Sequence, residues 1–533
     1  MIDRSVSKPL ACHDDVLSPL QWFLPLLQRA HRVTCANIGQ VCQYYRYIWC
    51  FRSAGSPFIH WVPILILAVV RISYSIRDHG RNVKRSITKT LTLGGIDSPV
   101  ISSSINQDPS EILAFLSAPS EKRHAVLREV SDANGVKKRY VEVWSGVHLE
   151  ASLEVTKQHG QFHIDGIIST CVFLRCSPLT LLDCLKSFSF TPSETALVYT
   201  AEANSETTEE QEDDPYPKFR FVPHFGEQLY TKKRPTLFVF RWRSPNELSH
   251  GGSDTIKAAS VTALSLDQPP DIPVLFGQAT FVTESSLYAT GYEQTGDGKL
   301  LGIKGCFNRP SSIWELILPS ENPEKATTTG CKSVRIETPG LSCRSPRVLF
   351  DNDRVPTTLF WLSNPIGGAH ASTVSLHVRD LKGTAGDRLL VDVVYDPSAQ
   401  EFPGLYTEYN LTDSPFLRLG EKTFILVQSL WRSRPTLISI NVENGDVIDL
   451  TPVLDGQALY SWNLLGTDGA RSVICSRSTP TSPPETVLLT LTQDSAPGNV
   501  QILDRPFVSP KRAYHTIQGK IPGPDLHYSS GSH

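Results

Sequence analysis

One local pattern recurs six times along this chain: a turn rich in Pro, Ser, Asp, Glu or Gly, followed by a strand in which apolar and small residues alternate. The copies are APSEKRHAVLREV (118–130), TPSETALVYTAEA (191–203), VTESSLYATGYE (282–293), DNDRVPTTLFWLS (351–363), LGEKTFILVQSLW (419–431) and GTDGARSVICSRS (466–478). With Ser120, Ser193, Glu284, Asp353, Glu421 and Asp468 as turn centres the spacings are 73, 91, 69, 68 and 47, a loose period near 70. A second strand often follows, as in Pro235 to Arg241, Ser312 to Leu318, Val374 to Val378 and Pro435 to Leu450. In the last of these, Asn444-Gly445 predicts a two-residue type I′ hairpin loop, because both residues tolerate positive φ.

Repeated strand units that cannot bury their faces alone stack radially, and this predicts a β-propeller. Residues 81–505 number 425, which gives seven blades about 61 residues each and leaves room for long loops. The alternative is two stacked sandwiches, whose weakness is that one turn-plus-strand unit runs across the whole length. No long 3.6-residue periodicity interrupts the strand signals after residue 80, so the fold class is all-β. Before residue 80 the apolar stretch Leu17 to Leu27 contains Pro19 and Pro25, which would shorten or kink any helix. The expected plan is an irregular or partly helical extension (1–80), a seven-bladed propeller (81–505), and a tail or start of an interdomain linker (506–533).

Composition limits the partners. Hydrophobic residues make up 40% of the 533 and charged residues 20%, enough for a large core. With 51 Lys plus Arg against 54 Asp plus Glu there is no net field to attract nucleic acid. Residues 1–140 nevertheless carry 18 basic and 10 acidic side chains, leaving 33 against 44 for the rest. Eleven cysteines, none spaced as CxxC, suit reduced thiols in a cytoplasmic protein. Cys171 and Cys176, the nearest pair, have no His at zinc-ligand spacing. The apolar run Phe58 to Val70 is 13 residues long, contains His60 and Pro63, and ends at Arg71. A spanning helix needs ~20 apolar residues, so no membrane anchor is expected. Asn410-Leu-Thr412 fits a glycosylation acceptor, relevant only in a secreted chain.

The chemistry-bearing motifs are missing. There is no G-x-S-x-G elbow for a serine nucleophile, no P-loop, no HExxH and no GxGxxG. Histidines such as His163 and His377 are singletons. Glu202 to Asp214 holds seven acids, and Lys232-Lys233-Arg234 follows about twenty residues later. Both clusters fall in the 91-residue spacing, as an insertion between repeats would.

Seven segments then show a resemblance: RYVEVWSG (139–146), HGQFHIDG (159–166), FTPSETALVYTAE (190–202), HFGEQLYTKKRPTLFVF (224–240), FGQATF (276–281), LGIKGCFNRPSSIWELIL (301–318) and STPTSPPETVLL (478–489). In this order they resemble the propeller domain of acylaminoacyl peptidases, also called acylamino-acid-releasing enzymes, of the prolyl oligopeptidase class of serine peptidases. The resemblance spans residues 110–490 and implies a propeller that covers an active-site mouth, limits substrates to short N-acylated peptides and contributes to homo-oligomer packing. It also implies an apolar face where the propeller meets an α/β-hydrolase domain. After Phe507 only 26 residues remain, where the family has a hydrolase domain of ~250 residues. The family's catalytic serine, aspartate and histidine have no counterpart among these residues, so no catalytic, cofactor-binding or metal-binding residue and no cofactor is expected. The readings left open are the substrate-gating portion of such an exopeptidase, a stand-alone non-catalytic propeller binding a protein or peptide, and a membrane-tethered relative anchored through residues 58–70.

Overall fold

Alternating apolar and small residues between turn formers produce strands throughout. The computed structural model describes residues between 68 and 505 apart from several connecting segments, the longest being 165–183, 205–215, 220–232 and 243–255. Among the described residues the regular elements are 27 strands. They fall into seven consecutive groups: sheet I (68–107, three strands) and sheets II (112–154), III (188–266), IV (274–335), V (341–391), VI (416–449) and VII (461–504), each of four strands. Within a sheet each strand pairs antiparallel with the next, as Arg123–Ser131 does with Lys137–Ser145 in full register. Sheets III and IV are further joined through their fourth strands, which pair in parallel from Ala263 opposite Thr328 to Leu266 opposite Cys331.

The sheets stack face to face, and the apolar side chains between them are the core. Val141 and Val143 of sheet II meet Tyr199 and Phe240 of III; Val198 and Val239 of III meet Phe281 and Leu287 of IV. Ile313 of IV meets Leu359 and Trp361 of V, Phe360 and Leu376 of V meet Ile425 and Ile438 of VI, and Leu426 and Leu437 of VI meet Val473 and Val487 of VII. The first sheet packs on the last. Val70, Ile72 and Leu91 of sheet I pack on Ile474, Leu488 and Leu503 of VII, and Tyr74 and Lys89 reach Asp504 at 2.8 and 2.6 Å. Each fully buried Leu, Ile, Val or Phe stabilises this stack by roughly 1.5–3 kcal/mol, without which no single sheet would hold. The fold is an all-β propeller.

All six copies of the repeat occupy one structural position, the turn between the first and second strands of sheets II–VII plus the second strand itself. Two expectations differ from what is observed. The first strand begins at Ala68, ahead of residue 81, so Val69 and Val70 at the end of the apolar run lie in a strand and Val70 is fully buried. Residues 58–67 of that run, the remainder of 1–67, the tail 506–533, Cys171 and Cys176 lie outside the described residues. Asn444-Gly445 does not make a type I′ loop: Asn441 N bonds Asp446 O and Gly445 N bonds Asn441 O, closing a longer turn in which Gly445 alone has positive φ, +82°. Its side-chain hydrogen bonds within the turn, Asn441 to Glu443 N and Asn444 to Asp446, favour this wider loop.

Candidate functional site

Because consecutive strands alternate in direction, the first-to-second and third-to-fourth turns lie at one end of each sheet. The second-to-third turns and the links to the next sheet lie at the other. First strands of neighbouring sheets touch, as where Ala279 N and Phe281 N of sheet IV bond Ser187 and Ser189 Oγ of sheet III at 2.8 and 3.1 Å. They therefore line the axis.

Toward the linking end the first strands carry a polar constellation. The first strand of sheet V, Leu341–Phe350, bulges between Arg344 and Arg347. That bulge turns Ser345 to φ +58°, and the equivalent bulge in sheet IV turns Gln278 to φ +54°. The two bulged residues meet: Ser345 N donates to Gln278 Oε1 at 2.8 Å, Thr290 Oγ1 donates to the same oxygen at 2.6 Å, and Gln278 Nε2 donates to Asn410 Oδ1. Arg344 is fully buried. Its Nε donates to Tyr409 O at 3.0 Å and its Nη1 to Asn364 Oδ1 at 2.7 Å, while the guanidinium lies over the Phe307 and Tyr409 rings at 4.7 and 5.1 Å. No carboxylate faces it among the described residues, Nη2 has no partner there, and burial pulls its pKa down. Arg347 donates to Leu411 O and Thr412 O at 2.5 and 2.7 Å. The segment 409–413 entering sheet VI is thus held by two arginines of sheet V and by Gln278 of sheet IV. Asn410, the candidate glycosylation residue, spends its side chain on Gln278.

Serine chemistry has a direct test in one contact. Ser363 Oγ lies 2.7 Å from His377 Nε2. The His377 ring stacks on Trp361 at 5.2 Å, and burial pulls its pKa down against the opposing pull of Asp387 and Asp392. Ser363 is 1% exposed, so no substrate carbonyl reaches its hydroxyl and the pair is a cross-strand tie rather than a nucleophile with its base. His163 is likewise buried. Of the acidic run, Glu202 is buried and accepts from Gln161 N and Lys233 N, both at 3.2 Å, which anchors the start of the insertion. Of the other five cysteines that are described, four are buried, and burial raises Cys331 and Cys343 to about 11. Among the described residues no group of His, Cys, Asp and Glu is arranged to hold a metal, and no helix is long and apolar enough to cross a membrane. Sequence reasoning missed the Arg344 constellation. Arg344 stands in an ordinary apolar-polar run, and its partners lie 20 and 65 residues away.

Consecutive antiparallel sheets with first strands around an axis define a propeller, and the axial residues named above bind structure to structure. The family model for the N-terminal domain of acylamino-acid-releasing enzymes matches residues 68–503, and the chain belongs to that family. It is 26% identical over 403 residues to an acylamino-acid-releasing enzyme of Arabidopsis thaliana, covering 70% of this chain and 46% of the relative. It is 25% identical over 397 residues to that of Mus musculus, covering 69% and 46%. The chain spans about half the length of these relatives. Among solved structures, a Pyrococcus horikoshii acylaminoacyl peptidase aligns with TM-score 0.41 and 9% identity over 83% of this chain and 51% of that one. The β-propeller domain of the Trilobed protease from Pyrococcus furiosus aligns with TM-score 0.38 and 10% identity over 88% and 97%.

Proposed function

We propose that these residues are the substrate-gating propeller of an acylaminoacyl-peptidase-like serine exopeptidase, working in the cytoplasm with an α/β-hydrolase domain that releases N-acylated amino acids from short peptides. The observation that carries this reading is the family match across 68–503, nearly the whole described propeller. The seven consecutive sheets are taken as seven blades.

The distribution of exposed apolar side chains supports a docking end. Tyr216, Phe219, Ile272, Ile366, Tyr395 and Leu459 are between 42% and 88% exposed, and each lies in a second-to-third turn or a link to the next sheet. At the opposite end the connections expose Val147, Ile256 and Val355. Apolar residues gathered at one end favour a protein partner there. Light scattering of the purified chain, alone and co-expressed with the hydrolase domain of a family member, tests the reading. Self-association alone and a soluble one-to-one complex with the hydrolase are expected. A monodisperse monomer indifferent to the hydrolase would contradict it.

A further inference from the structure

The end opposite the proposed docking end is laced by polar contacts that run from sheet to sheet. Ser120, in the first turn of sheet II, donates through both its N and its Oγ to the Glu194 carboxylate in the first turn of III, at 2.5 and 2.6 Å. Ser193 repeats this arrangement with Glu284 in the first turn of IV, at 2.7 and 2.6 Å. Arg418 of sheet VI reaches back to Asn352 Oδ1 of sheet V at 2.6 Å and to Phe350 O, and forward through its N to Gly469 O of sheet VII at 2.9 Å.

One link differs from the rest. Arg354 in the first turn of sheet V passes over sheet IV and meets Glu194 of sheet III at 3.3 Å. Among the described residues these partners are the two in first turns that hold positive φ without being glycine, Glu194 at +60° and Arg354 at +61°. Non-glycine residues keep that conformation only where surroundings over-determine it. Glu194 is 3% exposed and also lies 3.5 Å from Arg123, so one buried carboxylate gathers donors from sheets II and V beside its own. The contact ties turns two sheets apart at the ends of the first strands, which line the axis.

We infer that Glu194 and Arg354 form a latch across the first-turn mouth of the propeller, closing the axial route from that end until the pair separates. The inference rests on the propeller fold and not on the peptidase reading. Separation frees the turns of sheets III and V together. Wider opening also requires Ser120 to leave Glu194. The core between neighbouring sheets, held by apolar contacts, does not need to move.

Hydrogen exchange on the intact 533-residue chain, read by mass spectrometry over the turns 191–196 and 351–355, tests this. Arg354→Ala leaves the Ser120 clasp in place and removes a side chain that is 41% exposed, so folding is not at stake. It should speed exchange by at least ~10-fold in both turns, leave the second strands unchanged, and have no further effect in a Glu194→Gln background. Raising the salt from ~0.05 to ~1 M should move the wild type in the same direction, because the exposed Arg354 partner of the pair is screened. Faster exchange confined to 351–355, or none in either turn, would overturn the latch. Additive effects of the two substitutions would do the same.

Discussion

Arg344 carries its charge in a place where only two neutral acceptors and two rings receive it. Taking a guanidinium out of water is costly, and the return here is positional: it holds Tyr409 and hence the entry to sheet VI. Arg344→Ala should lower stability by about 3–5 kcal/mol, since it leaves a cavity and orphans both acceptors. Arg344→Met, which keeps the volume, should cost less than half of that in urea unfolding. Two other groups, one buried and one half-buried, act through pH with opposite signs. His159, fully buried with Nε2 2.9 Å from Tyr199 Oη, is pulled by burial from 6.5 to about 4. As pH falls below 6.5 the unfolded chain takes a proton that the fold refuses, so about 3 kcal/mol of stability is lost on the way to pH 4. Burial pushes Glu408 from 4.5 to about 7, so rising pH costs stability between those values. Glu408→Gln should raise the urea midpoint at pH 8 and leave it unchanged at pH 4. His159→Gln should flatten the acid side. Midpoints that respond the same way at both pH values would contradict the assignment.

Among the elements, the turn and second strand of each sheet were legible because they are local. A Pro/Ser/Glu turn followed by period-two alternation needs no distant partner to declare itself. The loop at 442–446 was not. Asn444-Gly445 names a turn, but its width follows from Asn441 and Asp446, and Gly445 also lies against sheet V, where an added Cβ would meet Leu390 O at 2.2 Å. Gly445→Ala should therefore destabilise by about 1–3 kcal/mol through both the positive φ and that approach, more than a lone turn glycine would. A thermal shift no larger than that of Gly135→Ala, whose Cβ would meet nothing, would show that the interlock with sheet V is unimportant. The parallel pairing of Ala259–Leu266 with Thr328–Arg335 was likewise invisible, because sixty residues separate strands whose composition is unremarkable. The bulges at Gln278 and Ser345 leave no local mark either, since each is stabilised by the other.

At the level of the molecule, the repeat predicted a propeller, and consecutive antiparallel sheets stacked face to face are what such a repeat requires. The 533-residue chain itself should hydrolyse no acetyl-amino-acid ester or acetyl-peptide. It has no G-x-S-x-G, and its described Ser–His contact is sealed in the core. Turnover or labelling by a serine-directed fluorophosphonate would show otherwise. The central claim is that this propeller works against a hydrolase domain through its linking end. Hydrogen exchange of the chain with and without the hydrolase domain of a family member reads that end directly. Protection is predicted in the peptides carrying Ile272, Ile366, Tyr395 and Leu459, with the first turns at Ser120, Ser193 and Asp353 unaffected. Protection of the first turns instead, or of neither end, would contradict it.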